Sequence, residues 1–309
     1  MKAIYRIEPI GHQRIWGSDT LGSQFHLSNT KAVGEVSCVS ANSACDCRLY
    51  NEGCTLSAFY TQHPEYFRLS CREFPLRVNI MDAKDDLSIQ IHPDESPATR
   101  AQPEAWYVIH SMDSPLCLGH NWQNEQDFLN AAAQNRIPCG VRHIPSHSGD
   151  FFYLKPGTVH AAGRGYRIYE LTRQADITYR LYDYQRTDRQ GHQRPLHIKQ
   201  AAQFLYFPQK LMRQTPLHIL QSETCTQTLY YDEPDIFTLE KIELHGDLTI
   251  LQEDFYLYTI IEGSGWINGE QVVAWDTLLQ ICDTEIHLQG DMTIMAATFK
   301  EADNSHTGT

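Results

Sequence analysis

Two stretches of the chain carry side chains suited to holding a metal ion: Leu87-Ser-Ile-Gln-Ile-His-Pro-Asp94 and Gly149-Asp-Phe-Phe-Tyr-Leu-Lys-Pro-Gly-Thr-Val-His-Ala161, with Glu104 between them. In an extended strand, residues two apart project to the same side, so Gln90 and His92 face one way while Ile89 and Ile91 enter the opposite layer. Glu104 immediately precedes the apolar run Ala105-Trp-Tyr-Val-Ile109, and His160 follows a Pro-Gly turn after Phe151-Phe-Tyr-Leu154. Antiparallel neighbours would bring all four groups onto one ion. An amide oxygen, two imidazoles and a carboxylate suit zinc or another divalent transition metal, one ion per chain, with water completing the shell. Such a centre polarises a carbonyl or holds a developing enediolate, which is chemistry for a sugar site. Taken singly, His92 and His160 read as ordinary strand-end histidines and Glu104 as a surface carboxylate. The four together, at these offsets, favour the metal.

The elements that must position them are mostly strands. Apolar runs bounded by turn residues recur at 75–80, 87–91, 105–109, 151–154, 167–171 and 178–182, a density that favours a sandwich or barrel. Helix-like patches interrupt them at 55–67, 124–134 and 198–204, the second reading as an insertion spanning about residues 124–146 and the third as part of a helical connector, 194–214. Beyond 214 the pattern is strand and turn almost throughout, with apolar runs at 255–261, 272–275, 278–281 and 292–297. The expected division is a catalytic unit, 1–214, and a smaller β-barrel unit, 215–309, whose isolated His245 and His287 form no metal set and whose tail, 302–309, is flexible.

Composition narrows the class of function. A chain of 309 residues with 41% apolar and 20% charged content can bury one large core or two moderate ones. Its N-terminal residues form no signal-peptide pattern and eighteen apolar residues never occur together, so a cytoplasmic location is expected. The nine cysteines, odd in number and scattered, are expected to be reduced thiols. A formal charge of −13 argues against nucleic acid or anionic membrane as a partner, and an anionic substrate would need a local basic island. Exposed strand edges would allow a homodimer, although nothing in the sequence decides oligomeric state.

At these residues the chain resembles the class I phosphomannose isomerases, particularly their short bacterial branch. The matching text includes Arg14-Ile-Trp-Gly17, Gly34-Glu35, Asp82-Ala83, Asp86 through Asp94, Glu104-Ala-Trp-Tyr107 and Gly149 through Ala161, then Glu170, Asp176, Thr178-Tyr-Arg-Leu-Tyr-Asp-Tyr184 and Arg186. The resemblance implies a mainly β fold with helical insertions: a cupin-type double-stranded β-helix, or jelly roll, followed by a second cupin-like β-barrel unit. It further implies a zinc enzyme that interconverts mannose 6-phosphate and fructose 6-phosphate through a cis-enediol. By position it gives Gln90, His92, Glu104 and His160 as metal ligands, Arg180 as the active-site arginine, Asp176 and Glu170 as pocket residues, and Ser88 as a phosphate contact. Trp16 reads as both core and pocket wall. Zinc, cobalt, manganese and iron all accept the ligand set, and Glu170, Asp176 or a metal-bound water could each carry the proton.

The chain departs from that family where an anion would be held. Asn79 and Gln102 stand where the family commonly has lysine, and Ser37 where it usually has tryptophan. A neutral amide cannot replace the charge-assisted contact of a lysine. Arg77, two residues before Asn79, could compensate, as could Lys84, Arg173, Arg180 and Arg186. A sugar-phosphate isomerase with a rearranged phosphate site is therefore weighed against an isomerase of an unphosphorylated or differently charged sugar and against a non-catalytic sugar-binding protein.

Overall fold

The computed structural model describes residues 2–112, 115–188, 190–209 and 215–302. By packing, the chain divides into two units: one of 1–10, 37–79 and 215–309, the other of 11–36 and 80–214. The crossing at 214 is where the sequence changes texture, but residues 1–10 and 37–79, assigned from sequence to the catalytic part, group with the C-terminal strands. Hydrogen bonding explains this: Ile4–Glu8 pairs with Thr277–Gln280 on one side and Arg48–Leu49 on the other. A strand drawn from far away in sequence leaves no local signal of its partner.

The unit that carries the candidate site contains a five-stranded sheet in the order Val141–Ile144, Leu116–His120, His160–Ala161, Ile89–Ile91, Tyr179–Tyr182. The six-stranded sheet runs Phe151–Leu154, Glu104–His110, Arg167–Arg173, Leu76–Asp82, Val33–Val39, Ile10–Ser18, and the chain passes between the units within Val33–Val39 and Leu76–Asp82. Alternation governs which residues reach the core. Trp106 and Val108 join one apolar cluster with Phe152, Leu154, Ile168, Ile89 and Ile91. Fully burying side chains of this kind stabilises the fold by roughly 1.5–3 kcal/mol each.

The expected helices form as Leu56–Gln62, Glu125–Ala133 and Ile198–Ala202. Asn124 caps the second by accepting the Asp127 amide at 2.9 Å, and Glu125 and Asp127 add negative charge to its first turn. Its Phe128 is fully buried, edge-on to Trp122 at 5.0 Å. Among the described residues of the connector, the helix is Ile198–Ala202; residues 210–214 lie outside the described residues.

The other unit is a nine-stranded sheet built around Phe237–Gln252, Tyr256–Ile267 and Thr284–Thr298. These strands extend past the runs read from sequence because glycines that look like punctuation lie inside them. Gly246, Gly290 and Gly265 form one cross-strand row, and a Cβ on Gly290 (φ +135°) would meet the Gly265 Cα at 2.7 Å. The fold is of the mainly β, cupin-like kind expected, with open sheets: among the described residues none closes into a barrel, and His218–Gln221 forms an exposed edge. The flexible tail expected at 302–309 lies outside the described residues from 303 onward. No helix among the described residues is long and apolar enough to cross a membrane.

Candidate metal centre and active site

Strand register lines up the polar groups. His160 lies opposite Gln90, and Gln90 opposite Arg180, so three side chains stand in a row on one face of the five-stranded sheet. His92 follows Gln90 by two residues and shares that face. Glu104, at the start of Glu104–His110 in the six-stranded sheet, approaches from the other side. His92 Nε2 is 3.1 Å from Glu104 Oε1, and His160 Nε2 is 3.7 Å from Oε2. The ligand atoms of the three buried residues all lie within 4.8 Å of one another.

The backbone fixes both imidazoles. His92 Nδ1 donates to the Ile177 carbonyl at 2.8 Å and His160 Nδ1 to that of Thr158 at 2.9 Å. A carbonyl only accepts, so each Nδ1 carries a proton, and Nε2 is the atom each ring turns toward Glu104, where its lone pair serves a metal once Nε2 is unprotonated. Gln102 Nε2 donates to Glu104 Oε1 at 3.0 Å, whereas the buried Oε2 has no hydrogen-bond donor among the described residues. A buried, unpaired carboxylate oxygen is costly unless it faces a cation, so the residues present fit a divalent ion. The Gln90 amide lies 3.4 Å from His160 Nε2 through its nitrogen, and its oxygen accepts from Ser88 Oγ at 3.1 Å. Nitrogen and oxygen exchange by a half-turn of the amide, which makes Gln90 available as an oxygen ligand.

Electrostatics follow from this packing. Burial opposes the Glu104 carboxylate, but His92, His160 and the Gln102 amide outweigh burial and hold its pKa well below the ordinary range. Burial pushes the His160 imidazole down to about 4. Burial acts the same way on His92, yet the Glu104 charge and hydrogen bond reverse it and raise the pKa. Trp106 meets the His160 ring edge-on at 5.3 Å and donates Nε1 to Glu170 Oε1 at 3.1 Å.

A cationic cluster adjoins the row. Arg180 Nε donates to Ser88 Oγ at 3.3 Å, linking it through Ser88 to Gln90. Buried Asp183 accepts from Arg186 Nη2 at 2.6 Å and from Arg194 Nε and Nη2 at 2.7 and 2.6 Å. Burial, then the charges of Arg194 and Arg186, lower the Arg180 pKa. Two guanidiniums on one carboxylate, with that of Arg180 close enough to feel their charges, supply the local basic island that the overall acidic chain needs. Arg194 was not among the residues singled out from sequence; it lies eleven residues past Asp183, and no strand or helix period connects them.

The other expected site residues fall elsewhere. Asp176 is exposed on the loop that supplies the Ile177 carbonyl. Trp16 is buried in the apolar core, its ring against Gly34. Arg77 belongs to the segment 37–79 of the other unit. The two departures in that unit are bonded to each other, Ser37 Oγ donating to Asn79 Oδ1 at 2.9 Å, while Gln102 is turned to Glu104.

Fold and site define the class as a cupin-like β protein with a buried His–Glu–His metal-binding centre. Residues 4–116 match the family model described as phosphomannose isomerase type I, catalytic domain. The chain is 32% identical over 278 residues to mannose-6-phosphate isomerase ManA of Bacillus subtilis (strain 168), covering 86% of this chain and 88% of that one. It therefore belongs to the type I phosphomannose isomerase family. A crystal structure of the Bacillus subtilis mannose 6-phosphate isomerase superposes with a TM-score of 0.90 at 24% identity, covering 96% of this chain and all of that one. A zinc-bound holo structure of mannose 6-phosphate isomerase superposes at 0.77 with 12% identity, covering 97% and 100%. At those identities the structural likeness speaks for the fold, and family membership rests on the sequence.

Proposed function

We infer that the chain is a metal-dependent aldose–ketose isomerase that interconverts mannose 6-phosphate and fructose 6-phosphate through a cis-enediol. The observation that carries this is the pair of carbonyl-pinned histidines presenting both Nε2 atoms to a buried carboxylate whose Oε2 has no donor among the described residues. Gln90, His92, Glu104 and His160 would hold one zinc ion. When bound, zinc supplies a Lewis acid for the sugar oxygens.

The remaining roles belong to the chain's own residues. Arg180 stays charged and is half-buried among other cations, so it gains from an anion, either the developing enediolate oxygen or the phosphate. Ser88 and Arg186 extend that end of the pocket, and Trp16 is assigned to its wall on the core side. Asp176 and Glu170 are the carboxylates we assign to moving the proton between C1 and C2. Glu170 draws support from its burial beside Trp106, Asp176 from the loop it shares with Ile177. Cytoplasmic residence and a homodimer belong to the same reading, supported by the nine free cysteines and the exposed edge strand His218–Gln221 respectively.

Turnover by the purified, zinc-loaded protein tests the assignment. Fructose 6-phosphate should be converted to mannose 6-phosphate, with free fructose and mannose turned over far less efficiently. Equal turnover of the free and esterified sugars would reassign the substrate, and no turnover of either would remove the isomerase activity.

A further inference from the structure

Beside Glu104, the six-stranded sheet presents buried polar groups that a metal ion does not account for. Gln102 and Glu104 share a face, as their hydrogen bond shows. Glu170 and Thr172 lie opposite Trp106 and Glu104 on the neighbouring strand. Gln174 lies just past the end of that strand, next to the point where the Arg173 amide donates to the Pro103 carbonyl at 3.3 Å. Gln102, Thr172 and Gln174 are uncharged and 2%, 0% and 6% exposed. Gln102 Oε1, Thr172 Oγ1 and both amide atoms of Gln174 have no hydrogen-bond partner among the described residues. Unpaired buried amides and hydroxyls cost stability, so several on one wall beside the metal ligands mark a surface that pairs with something it binds.

We propose that Gln102, Thr172 and Gln174 form a hydroxyl-recognition wall that reads the carbon chain of a polyhydroxy substrate. The inference rests on the isomerase reading and adds to it the groups that grip the sugar backbone. Each of the three side chains both donates and accepts, which matches hydroxyls. A phosphate dianion only accepts, so it cannot satisfy the acceptor oxygens of Gln102 and Gln174. The arginines around Asp183 serve the anion instead. At position 102 a lysine would only donate; Gln102 gives the wall an acceptor while its Nε2 steadies Glu104.

Thr172→Val and Gln174→Met keep the side-chain size and remove the polar atoms. With zinc-loaded protein, calorimetric titration of mannitol 6-phosphate, an open-chain polyol that cannot isomerise, should show each variant binding about tenfold or more weakly than the parent. The KM for fructose 6-phosphate should rise in step. Inorganic phosphate affinity and metal content should stay unchanged, and the unfolding temperature should rise because an unpaired buried group is gone. Variants that bind mannitol 6-phosphate within twofold of the parent would overturn the proposal. Should the variants not fold, the parent decides: at least one monodeoxy derivative of mannitol 6-phosphate should bind about tenfold more weakly, and equal binding of all of them would overturn the wall. A folded, zinc-loaded parent that neither binds mannitol 6-phosphate nor turns over fructose 6-phosphate would reject the isomerase reading and the wall with it, whereas an active parent with indifferent variants rejects the wall alone.

Discussion

His92 and Glu104 set the terms on which an ion enters. The metal needs His92 Nε2 without its proton, but the facing carboxylate raises the His92 pKa, so in the metal-free protein a proton competes for that position. Glu104, held low, and His160, at about 4, are already deprotonated at neutral pH. Below the raised His92 pKa, one proton must therefore leave for each ion bound. Apparent zinc affinity should fall about tenfold per pH unit on acidification through that range and level off above it. Competition titrations with a chromogenic chelator across the range check this; affinity that does not change with pH would show that His92 is not a ligand. Much of this was legible in the sequence, because the same-face offset of Gln90 and His92 needs only strand periodicity. What fixes the tautomers was not legible: the Ile177 and Thr158 carbonyls are backbone atoms that any residue supplies.

Among the elements, several strands of the site-bearing unit are ones their residue pattern announces, whereas the two-residue strand His160–Ala161, which bears a ligand, is not. Glu104–His110, Phe151–Leu154 and Arg167–Arg173 follow the expected runs closely, since each alternates or runs apolar between turn residues. The helix Glu125–Ala133 was likewise readable from Phe128, Leu129 and the alanines after them, and its capping residue Asn124 stands where the pattern begins. Tertiary partners were not readable. The salt bridge of Arg194 to Asp183 and the pairing of Ile4–Glu8 with Thr277–Gln280 join residues with no shared period. Phe128 anchors its helix in the core of the site-bearing unit, so Phe128→Ala should destabilise the protein by about 3–5 kcal/mol in chemical denaturation. Zinc bound per folded chain should be unchanged, because Phe128 packs on Trp122 from its helix and is not one of the ligand residues. A loss below about 1 kcal/mol would mean that the helix is not packed as described.

At the scale of the molecule, a chain of net charge −13 gathers Arg180, Arg186 and Arg194 in one place next to a buried His–Glu–His centre. Acidic surface and local cations together suit a small anionic substrate better than a polyanionic partner. Family membership and geometry converge on the same chemistry, and Gln102, at a position where the resemblance led one to expect lysine, bonds the ligand Glu104 instead of supplying charge. Removal and return of the metal tests this most directly. Protein stripped by chelation should stop converting fructose 6-phosphate to mannose 6-phosphate and should regain full activity at one equivalent of zinc per chain. Undiminished conversion by the stripped protein, or a zinc-loaded protein that converts nothing, would contradict the account.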